Sequence, residues 1–273
     1  MGKTTKIGWC HSTCSLWWGC VEASPGCDHC YAKAWDAMRG GGVSHWGNAA
    51  PRLAIKSVWK LFKDLQQAAA VSDVQYRVFV GSMMDIFEKS MPLVDRQGNP
   101  TGETTGERRD RYFREVVPAT PNLTHLCLTK RPTAICKLLP DAWLTNCPPN
   151  IKFGYSAVNQ ETAKLIDALL KVPGEHFLSC EPLLSPLNLG QYLLTPGGIS
   201  WVIIGGESGP HARPLHLDWV LDLMEQCKTA NVPVFVKQLG EVWAKQNKAQ
   251  DRHGADPSEW PEAFRVQEVP AGW

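Results

Sequence analysis

The sequence predicts a single-domain α/β protein whose strands, mostly parallel, form a partial or complete TIM-like (β/α) barrel. Short apolar segments alternate with helical patterns about six times, which is typical of repeated β-α units. The chain has 273 residues, 44% of them hydrophobic, enough for one large core. We expect the barrel over residues 1–243 and a C-terminal extension, residues 244–273, packed on or near it.

Six segments have the pattern of strands that are buried on both faces. Each is short, rich in β-branched or aromatic residues, and nearly continuously apolar rather than alternating. Right-handed crossovers would join them into a parallel sheet. The predicted strands lie at residues 76–82, 123–130, 151–157, 176–182, 200–207 and 232–238.

Three segments between the strands have apolar residues at three- and four-residue spacing, as amphipathic helices do. They lie at residues 107–117, 159–172 and 216–230. Asn159 and Asp218 stand where a helix cap or a first-turn acid belongs. The polar residues 88–106 indicate a surface hairpin or a lid.

The charge composition excludes a strong overall attraction to nucleic acid or to membranes. Lys plus Arg total 28 and Asp plus Glu total 27, so the formal net charge is +1. Any contact with nucleic acid must therefore be local. The sequence contains no apolar run of membrane-spanning length and no signal-peptide pattern at its start, so we expect a cytoplasmic protein without a membrane partner.

Polar side chains follow each predicted strand. Because the carboxyl ends of parallel strands meet at one face of a barrel, these side chains are expected to converge on one cavity. They are Ser82, Asp85, Thr129, Lys130, Arg131, Ser156, Asn159, Glu181, Glu207, Ser208, Lys237 and Gln238. The alternative is that they only mark the points where strands leave the core for solvent.

Half of the ten cysteines lie in the first thirty residues. A disulfide framework would spread its pairs along a small secreted chain, so this asymmetry favours metal binding in a reducing compartment. The clustered cysteines are Cys10, Cys14, Cys20, Cys27 and Cys30. The others are expected to be small buried apolar residues.

Cys20, Cys27 and Cys30 have the spacing C-x6-C-x2-C. Three thiolates on one loop can ligate three irons of a [4Fe-4S] cluster and leave the fourth iron open to an exogenous ligand. A helix beginning near Tyr31 would direct backbone N–H groups at the anionic cluster.

Zinc is the alternative metal. Cys10 and Cys14 could join Cys27 and Cys30 in a tetrahedral site, with His11 and His29 nearby. Such a site would stabilise a binding module for nucleic acid or a partner protein. Spacing alone leaves the cluster and the zinc site open, and a metal-independent enzyme remains a third hypothesis.

Several motifs occur in an order that resembles a known family. They are "WWGCVEASPGCDHCYA", "GSMMDIF", "LTKRP", "SCEPLL", "WVIIGGESGPHARP" and "VFVKQLG", between residue 9 and about residue 240. In this order they resemble a phage-associated, three-cysteine-motif family of unknown function, which is itself similar to divergent radical S-adenosylmethionine enzymes. The resemblance implies a [4Fe-4S] cluster on Cys20, Cys27 and Cys30.

The same resemblance implies S-adenosylmethionine as a second cofactor, cleaved to a 5'-deoxyadenosyl radical, and an electron donor of the flavodoxin or ferredoxin type. The substrate is unknown, and a nucleotide or nucleic-acid base is the class that we consider. The implied cofactor-binding residues are Ser82, Asp85, Ser156, Gly205, Gly206 and Glu207. The candidate catalytic residues are Glu181, Glu207 and Lys237, which would do acid–base work in the metal-independent hypothesis.

Positive charge at the same strand ends is expected to bind a substrate phosphate or carboxylate. The substrate-binding residues in this interpretation are Lys130, Arg131, Asn159, Arg213 and Gln238. The alternative is that Lys130, Arg131, Arg213 and Lys237 form ion pairs with the neighbouring acids.

Overall fold

The computed structural model describes residues 4–209 and 211–273. The strands are β1 (Ser12–Cys14), β2 (Trp17–Trp18), β3 (Arg52–Ala54), β4 (Tyr76–Val80), β5 (Pro92–Val94), β6 (Pro100–Thr104), β7 (Leu123–Thr129), β8 (Ile151–Tyr155), β9 (Glu175–Cys180), β10 (Ile199–Gly205) and β11 (Val234–Gln238). The helices are α1 (Tyr31–Arg39), α2 (Val58–Ser72), α3 (Thr105–Arg111), α4 (Ile135–Leu138), α5 (Gln160–Ala163), α6 (Ile166–Leu169), α7 (Gly190–Leu193), α8 (Leu217–Thr229) and α9 (Glu241–Asn247).

The main sheet has seven strands in the order β1-β4-β7-β8-β9-β10-β11, and every neighbouring pair is parallel. It curls into a half-barrel, which confirms the predicted single-domain α/β fold in its partial form. The six predicted strands are β4 and β7 to β11. Strand β1 was not predicted, because its three residues, "STC", form no apolar run.

The predicted helices are present with changed bounds. Residues 107–117 lie in α3 and a following π-helical turn, Tyr112–Val116, and residues 159–172 are broken into α5 and α6. Asn159 caps α5, and Asp218 lies in the first turn of α8. Helix α2 was not predicted, although its buried residues are regularly spaced: Val58, Phe62, Leu65 and Ala69.

A second, smaller sheet lies beside the cysteine segment, in the order β2-β3-β5-β6. Residues 88–106 contain the antiparallel pair β5 and β6, which is the hairpin that their polarity indicated. Strand β5 pairs in parallel with β3, and β3 pairs with β2. The hairpin therefore supports the segment that leads into the cysteine loop rather than projecting freely.

The inner face of the half-barrel has an apolar floor. A cluster of buried rings and aliphatic side chains fills it: Trp9, Phe79, Leu126, Phe177, Trp201, Ile203, Phe235 and Trp273, together with Cys10. Strand β8 contributes Gly154, and a Cβ atom there would lie 2.2 Å from the Phe177 ring. Glycine at this position makes room for that ring. The opposite face of the sheet packs against the helices.

The C-terminal segment contacts the last strand of the sheet. Gln267 forms a bridge with Phe235, and the Val236 N–H donates to the Val266 carbonyl over 2.8 Å. Trp273 packs edge-on against Trp201 with 5.7 Å between ring centroids. Within the described residues, helices of the length and apolar character needed to span a bilayer are absent.

Candidate functional site

A cavity of about 720 Å³ lies at the carboxyl ends of the parallel strands. Its volume falls in the range of small-molecule sites. The strand ends and the cysteine loop both line it, as the sequence predicted for a shared cavity. The predicted site residues that line it are Cys20, Cys27, Cys30, Ser82, Asp85, Thr129, Lys130, Arg131, Ser156, Glu181, Gly206, Glu207, Ser208, Lys237 and Gln238.

Three predicted site residues have other surroundings. The Asn159 side chain accepts the Thr162 N–H over 2.9 Å and so serves as a helix cap. A Cβ atom at Gly205 would lie 3.2 Å from Glu181, so this position is packed against a neighbouring side chain. Arg213 contacts the cysteine loop from outside the cavity lining. These contacts account for Asn159, Gly205 and Arg213 without a ligand.

The first end of the cysteine loop is held next to strand β4. Gly19 forms a bridge with Met84, and its φ of +116° is a backbone conformation that favours glycine. Arg131 donates from Nη2 to the Val21 carbonyl over 2.6 Å and lies 3.8 Å from the Cys20 sulfur through Nη1. Backbone pairing and one guanidinium thus fix the position of Cys20.

The second end of the loop is held by Arg213, beyond strand β10. Its Nη2 atom donates to the Pro25 carbonyl over 3.0 Å, and its Nη1 atom lies 3.1 Å from Asp28 Oδ2. Arg213 also contacts both carboxylate oxygens of Glu207, at 2.6 and 2.9 Å. His29 adds a contact of 3.1 Å to Glu207. The loop is therefore held at its two ends by two arginines, and its cysteines line the cavity.

The thiols of the loop make local contacts. Cys20 donates to the Val21 carbonyl over 3.3 Å, and Cys27 accepts the Ala23 N–H over 3.5 Å. Within the described residues, no three His, Cys, Asp or Glu side chains are close enough together to hold a metal ion. Three cysteine thiols that line one cavity fit a thiolate-ligated cluster in their chemistry. Their side chains would have to rotate inward before all three sulfur atoms could bind the same cluster.

Burial raises the pKa of Cys20 to about 12, and the neighbouring Asp85 and Glu88 add to this, while Arg131 opposes it. The thiolate is therefore unfavourable at Cys20 at neutral pH even with the Arg131 guanidinium beside it. Metal binding supplies a further cation and releases the proton.

The cysteines of the zinc alternative lie in different layers of the protein. Cys14 belongs to the core between the sheet and the helices, whereas Cys10 belongs to the aromatic floor. Burial raises the pKa of Cys10 to about 12. Cys27, by contrast, lines the cavity. The described arrangement does not bring Cys10 and Cys14 together with Cys27 and Cys30.

Three of the four cations named in the alternative interpretation form ion pairs with acids at the strand ends, as that interpretation held. Arg131 lies 2.7 Å from Asp85, Arg213 lies 2.6 Å from Glu207, and Lys237 pairs with Glu181. Lys130 lines the cavity, with its Cε atom 3.4 Å from where a Cβ atom of Gly26 would stand.

The Asp85 carboxylate accepts four hydrogen bonds. Besides Arg131, its carboxylate accepts the Thr129 hydroxyl over 2.7 Å, the Lys130 N–H over 3.1 Å and the Phe87 N–H over 3.0 Å. These donors occupy the carboxylate, so Asp85 joins the ends of β4 and β7.

Glu207 is buried, which raises its pKa, but the hydrogen bonds from Arg213 and His29 outweigh burial and lower it below the ordinary value. The carboxylate is thus ionised at neutral pH and can hold the cysteine loop through both partners. Its backbone carbonyl accepts the Glu241 N–H over 3.0 Å.

Gly206 is packed too closely for a side chain. A Cβ atom there would lie 2.7 Å from the Leu239 carbonyl. Its N–H donates to the Gln238 carbonyl, and the Gln238 side chain donates to the Gly206 carbonyl over 2.7 Å. Glycine at position 206 therefore allows the ends of β10 and β11 to lie in contact. Because the Gly206 N–H already donates within the protein, the geometry does not support the expected contact between this N–H and a ligand.

Several cavity-lining residues were missed by the sequence analysis. Tyr31 and Ser179 line the cavity, and so do residues of the C-terminal segment: Asp251, His253, Asp256 and Gln267. Ser179 is the last inward-facing residue of β9, which the alternation along that strand could have indicated. The contribution of the C-terminal segment had no sequence signal.

A buried ion pair behind the cysteine loop was also missed. Arg52 contacts both carboxylate oxygens of Glu88 at 2.9 Å, and Trp17 donates its indole N–H to the same carboxylate. Arg52 also donates to the carbonyls of residues 45, 47 and 50. Since the Gly47 N–H donates to the Cys20 carbonyl, this network supports the position of Cys20.

The fold and the site define an α/β half-barrel protein whose cavity is lined by polar strand ends, apolar rings and a loop of three cysteines. The chain belongs to DUF5131, a family of proteins of unknown function, whose family model matches residues 4–263. Neither a curated protein nor a solved structure matches the sequence.

Proposed function

We propose that this protein is an iron–sulfur enzyme of the radical S-adenosylmethionine type that modifies a nucleotide or a nucleic-acid base. One observation carries the proposal. Cys20, Cys27 and Cys30 come from one loop and line the same cavity as the polar ends of the parallel strands. A cluster with one open iron needs such a cavity beside it.

The chain's own residues have clear tasks in this proposal. Cys20, Cys27 and Cys30 would hold a [4Fe-4S] cluster, and when bound it supplies the electron that cleaves S-adenosylmethionine to a 5'-deoxyadenosyl radical. Arg131 and Arg213 keep the two ends of the loop in place. The apolar floor, with Trp9 and Phe79 at the cavity, limits access of water from below.

The pair Glu181 and Lys237 suits a zwitterionic ligand. Both residues line the cavity and contact each other. A ligand that carries an ammonium and a carboxylate can replace each partner with the matching charge, so no buried charge is left uncompensated. The amino-acid portion of S-adenosylmethionine has this charge pattern.

The remaining parts of the proposal rest on the sequence resemblance. It implies an electron donor of the flavodoxin or ferredoxin type and an association with phage. Reductive cleavage of S-adenosylmethionine consumes an electron, and the proposed donor would supply it.

Anaerobic reconstitution with iron and sulfide tests the proposal. We expect a brown protein with about four irons per chain, and a spin-resonance signal of the reduced cluster that changes when S-adenosylmethionine is added. Cys20→Ala, Cys27→Ala and Cys30→Ala should each remove most of the iron. Cys14→Ala, at a buried cysteine of the core, is the matched control and should retain it.

Two results would contradict the proposal. One is a protein that incorporates no cluster under these conditions, and the other is a cluster-loaded protein that does not cleave S-adenosylmethionine after reduction. A colourless protein that holds one zinc and loses it in Cys14→Ala would instead support the zinc-stabilised binding module.

A further inference from the structure

Helix α1, directly after the cysteine loop, contacts the rest of the protein through a narrow face. Of its nine residues, only Ala32 and Asp36 are buried. Asp36 lies 2.8 Å from the imidazole of the buried His45 and also accepts its backbone N–H. The other side of α1 faces solvent.

The exposed face of α1 carries three large side chains. Tyr31, Trp35 and Met38 are 46%, 42% and 72% exposed. Their spacing of four and three residues places them along one side of the helix. A contiguous apolar row of this kind on a surface typically marks an interaction site, whereas single exposed apolar residues do not.

The exposed charges on this helix are basic. Lys33 and Arg39 are exposed, while the acid of the helix, Asp36, is buried. The Arg39 guanidinium lies 4.3 Å from the centre of the Trp35 ring, a cation–π contact. Lys33 contacts Glu22 at 2.6 Å in an exposed pair that solvent screens. Aromatic rings next to positive charges fit the bases and phosphates of a nucleic acid.

The exposed face of α1 is continuous with the cavity. Tyr31 lines the cavity and donates its hydroxyl to the Ser82 carbonyl over 2.8 Å. Trp35 follows one helical turn further along. A chain that lies on Trp35 therefore approaches the cavity mouth at Tyr31.

We propose that the exposed face of α1 binds single-stranded nucleic acid and guides it to the cavity. Bases stack on Trp35 and Tyr31, and Arg39, which flanks the same row, contacts a phosphate. The near-neutral net charge of +1 matches a short local contact rather than a long basic groove. The role of this surface in substrate delivery rests on the proposed function, whereas the binding itself does not.

Fluorescence anisotropy with a labelled twelve-nucleotide oligothymidine, at low salt and with full-length metal-free protein, tests this proposal. Trp35→Ala and Arg39→Gln should each weaken binding by about fivefold or more, and added salt should weaken it further. The matched control is Arg111→Gln, because Arg111 also lies over a tryptophan, 4.6 Å from the Trp59 ring, on another face. Its affinity should equal that of the wild type.

Oligouridine and a duplex of the same length are the further probes. Oligouridine should bind, since stacking does not require deoxyribose, and the duplex should bind more weakly because its bases are paired. No binding of the single strands, equal affinity in all variants, or a dimer that depends on Trp35 in sedimentation would each overturn the proposal. Because metal-free protein is used, these results are independent of whether a cluster forms. Trp35 is partly exposed, so unchanged thermal unfolding should confirm that Trp35→Ala is folded.

Discussion

The two ends of the cysteine loop are anchored by the same chemistry in different surroundings. At the Cys20 end, Arg131 contacts Asp85 and the Val21 carbonyl, and the backbone of Gly19 pairs with Met84. At the other end, Arg213 contacts Glu207, Asp28 and the Pro25 carbonyl, without strand pairing. The Arg213 side chain is 30% exposed, against 18% for Arg131.

This difference indicates which part of the cysteine loop can move more easily. Cys20 is fixed by the sheet itself, whereas Cys27 and Cys30 depend on contacts that solvent reaches. If the thiols rotate inward to share a metal, the smaller cost lies in moving Cys27 and Cys30. The contacts of Arg213, the second anchor, are therefore the ones that we expect to give way more easily.

The largest effect on stability is expected at the first anchor, the contact of Arg131 with Asp85. Asp85→Asn leaves Arg131 without its carboxylate and places an amide N–H₂ near groups that also donate. We expect the free energy of unfolding to fall by about 3 kcal/mol, measured by urea denaturation of metal-free protein. Asp110→Asn, at an exposed position in α3, should change it by less than about 0.5 kcal/mol. Equal losses of unfolding free energy in Asp85→Asn and Asp110→Asn would contradict a stabilising role of the first anchor.

A smaller effect is expected at the second anchor. Arg213→Gln removes the contacts to Asp28 and to the Pro25 carbonyl, so we expect a loss of about 1 kcal/mol. Cys27 and Cys30 should react faster with a thiol reagent, while Cys20 should react as in the wild type. Mass spectrometry of the labelled peptides measures this. Arg111→Gln is the control, and uniform acceleration at all three thiols would show that the two ends are not independent.

The smallest effect is the change with pH in how much the second anchor, the ion pair of Arg213 with Glu207, stabilises the protein. The pKa of Glu207 is lowered from its ordinary value of 4.5, so its stabilising contribution is fully present above about pH 4.5 and is lost as pH falls through the folded-state value. The difference in unfolding free energy between wild type and Arg213→Gln should therefore shrink in acid. Urea denaturation from pH 7 down to pH 3 measures it, and a constant difference would argue against the ion pair.

Much of the fold was predictable because buried parallel strands have a strong local signature. The six strands β4 and β7 to β11 are apolar on both faces, and that pattern depends only on neighbouring residues. Strand β1 was missed because its pairing with β4, not its composition, makes it a strand. The second sheet is likewise defined by contacts between distant segments.

The candidate site was predictable as a location but not as a set of partners. The rule that parallel strands end at one face placed Glu181, Glu207 and Lys237 in the same cavity. It could not tell which charges would neutralise each other, since that depends on side-chain distances of a few ångströms. Arg213 illustrates this, because the sequence suggested a ligand contact and the structure shows a contact with the loop.

The packed rings beside the cavity have a consequence for how a ligand would be oriented. Trp9 and Phe79 line the cavity, and Trp201, Phe235 and Trp273 belong to the same buried cluster. The polar strand ends line the cavity as well. A compound with one apolar and one polar end would therefore place its apolar end against the rings and its polar end at the strand ends.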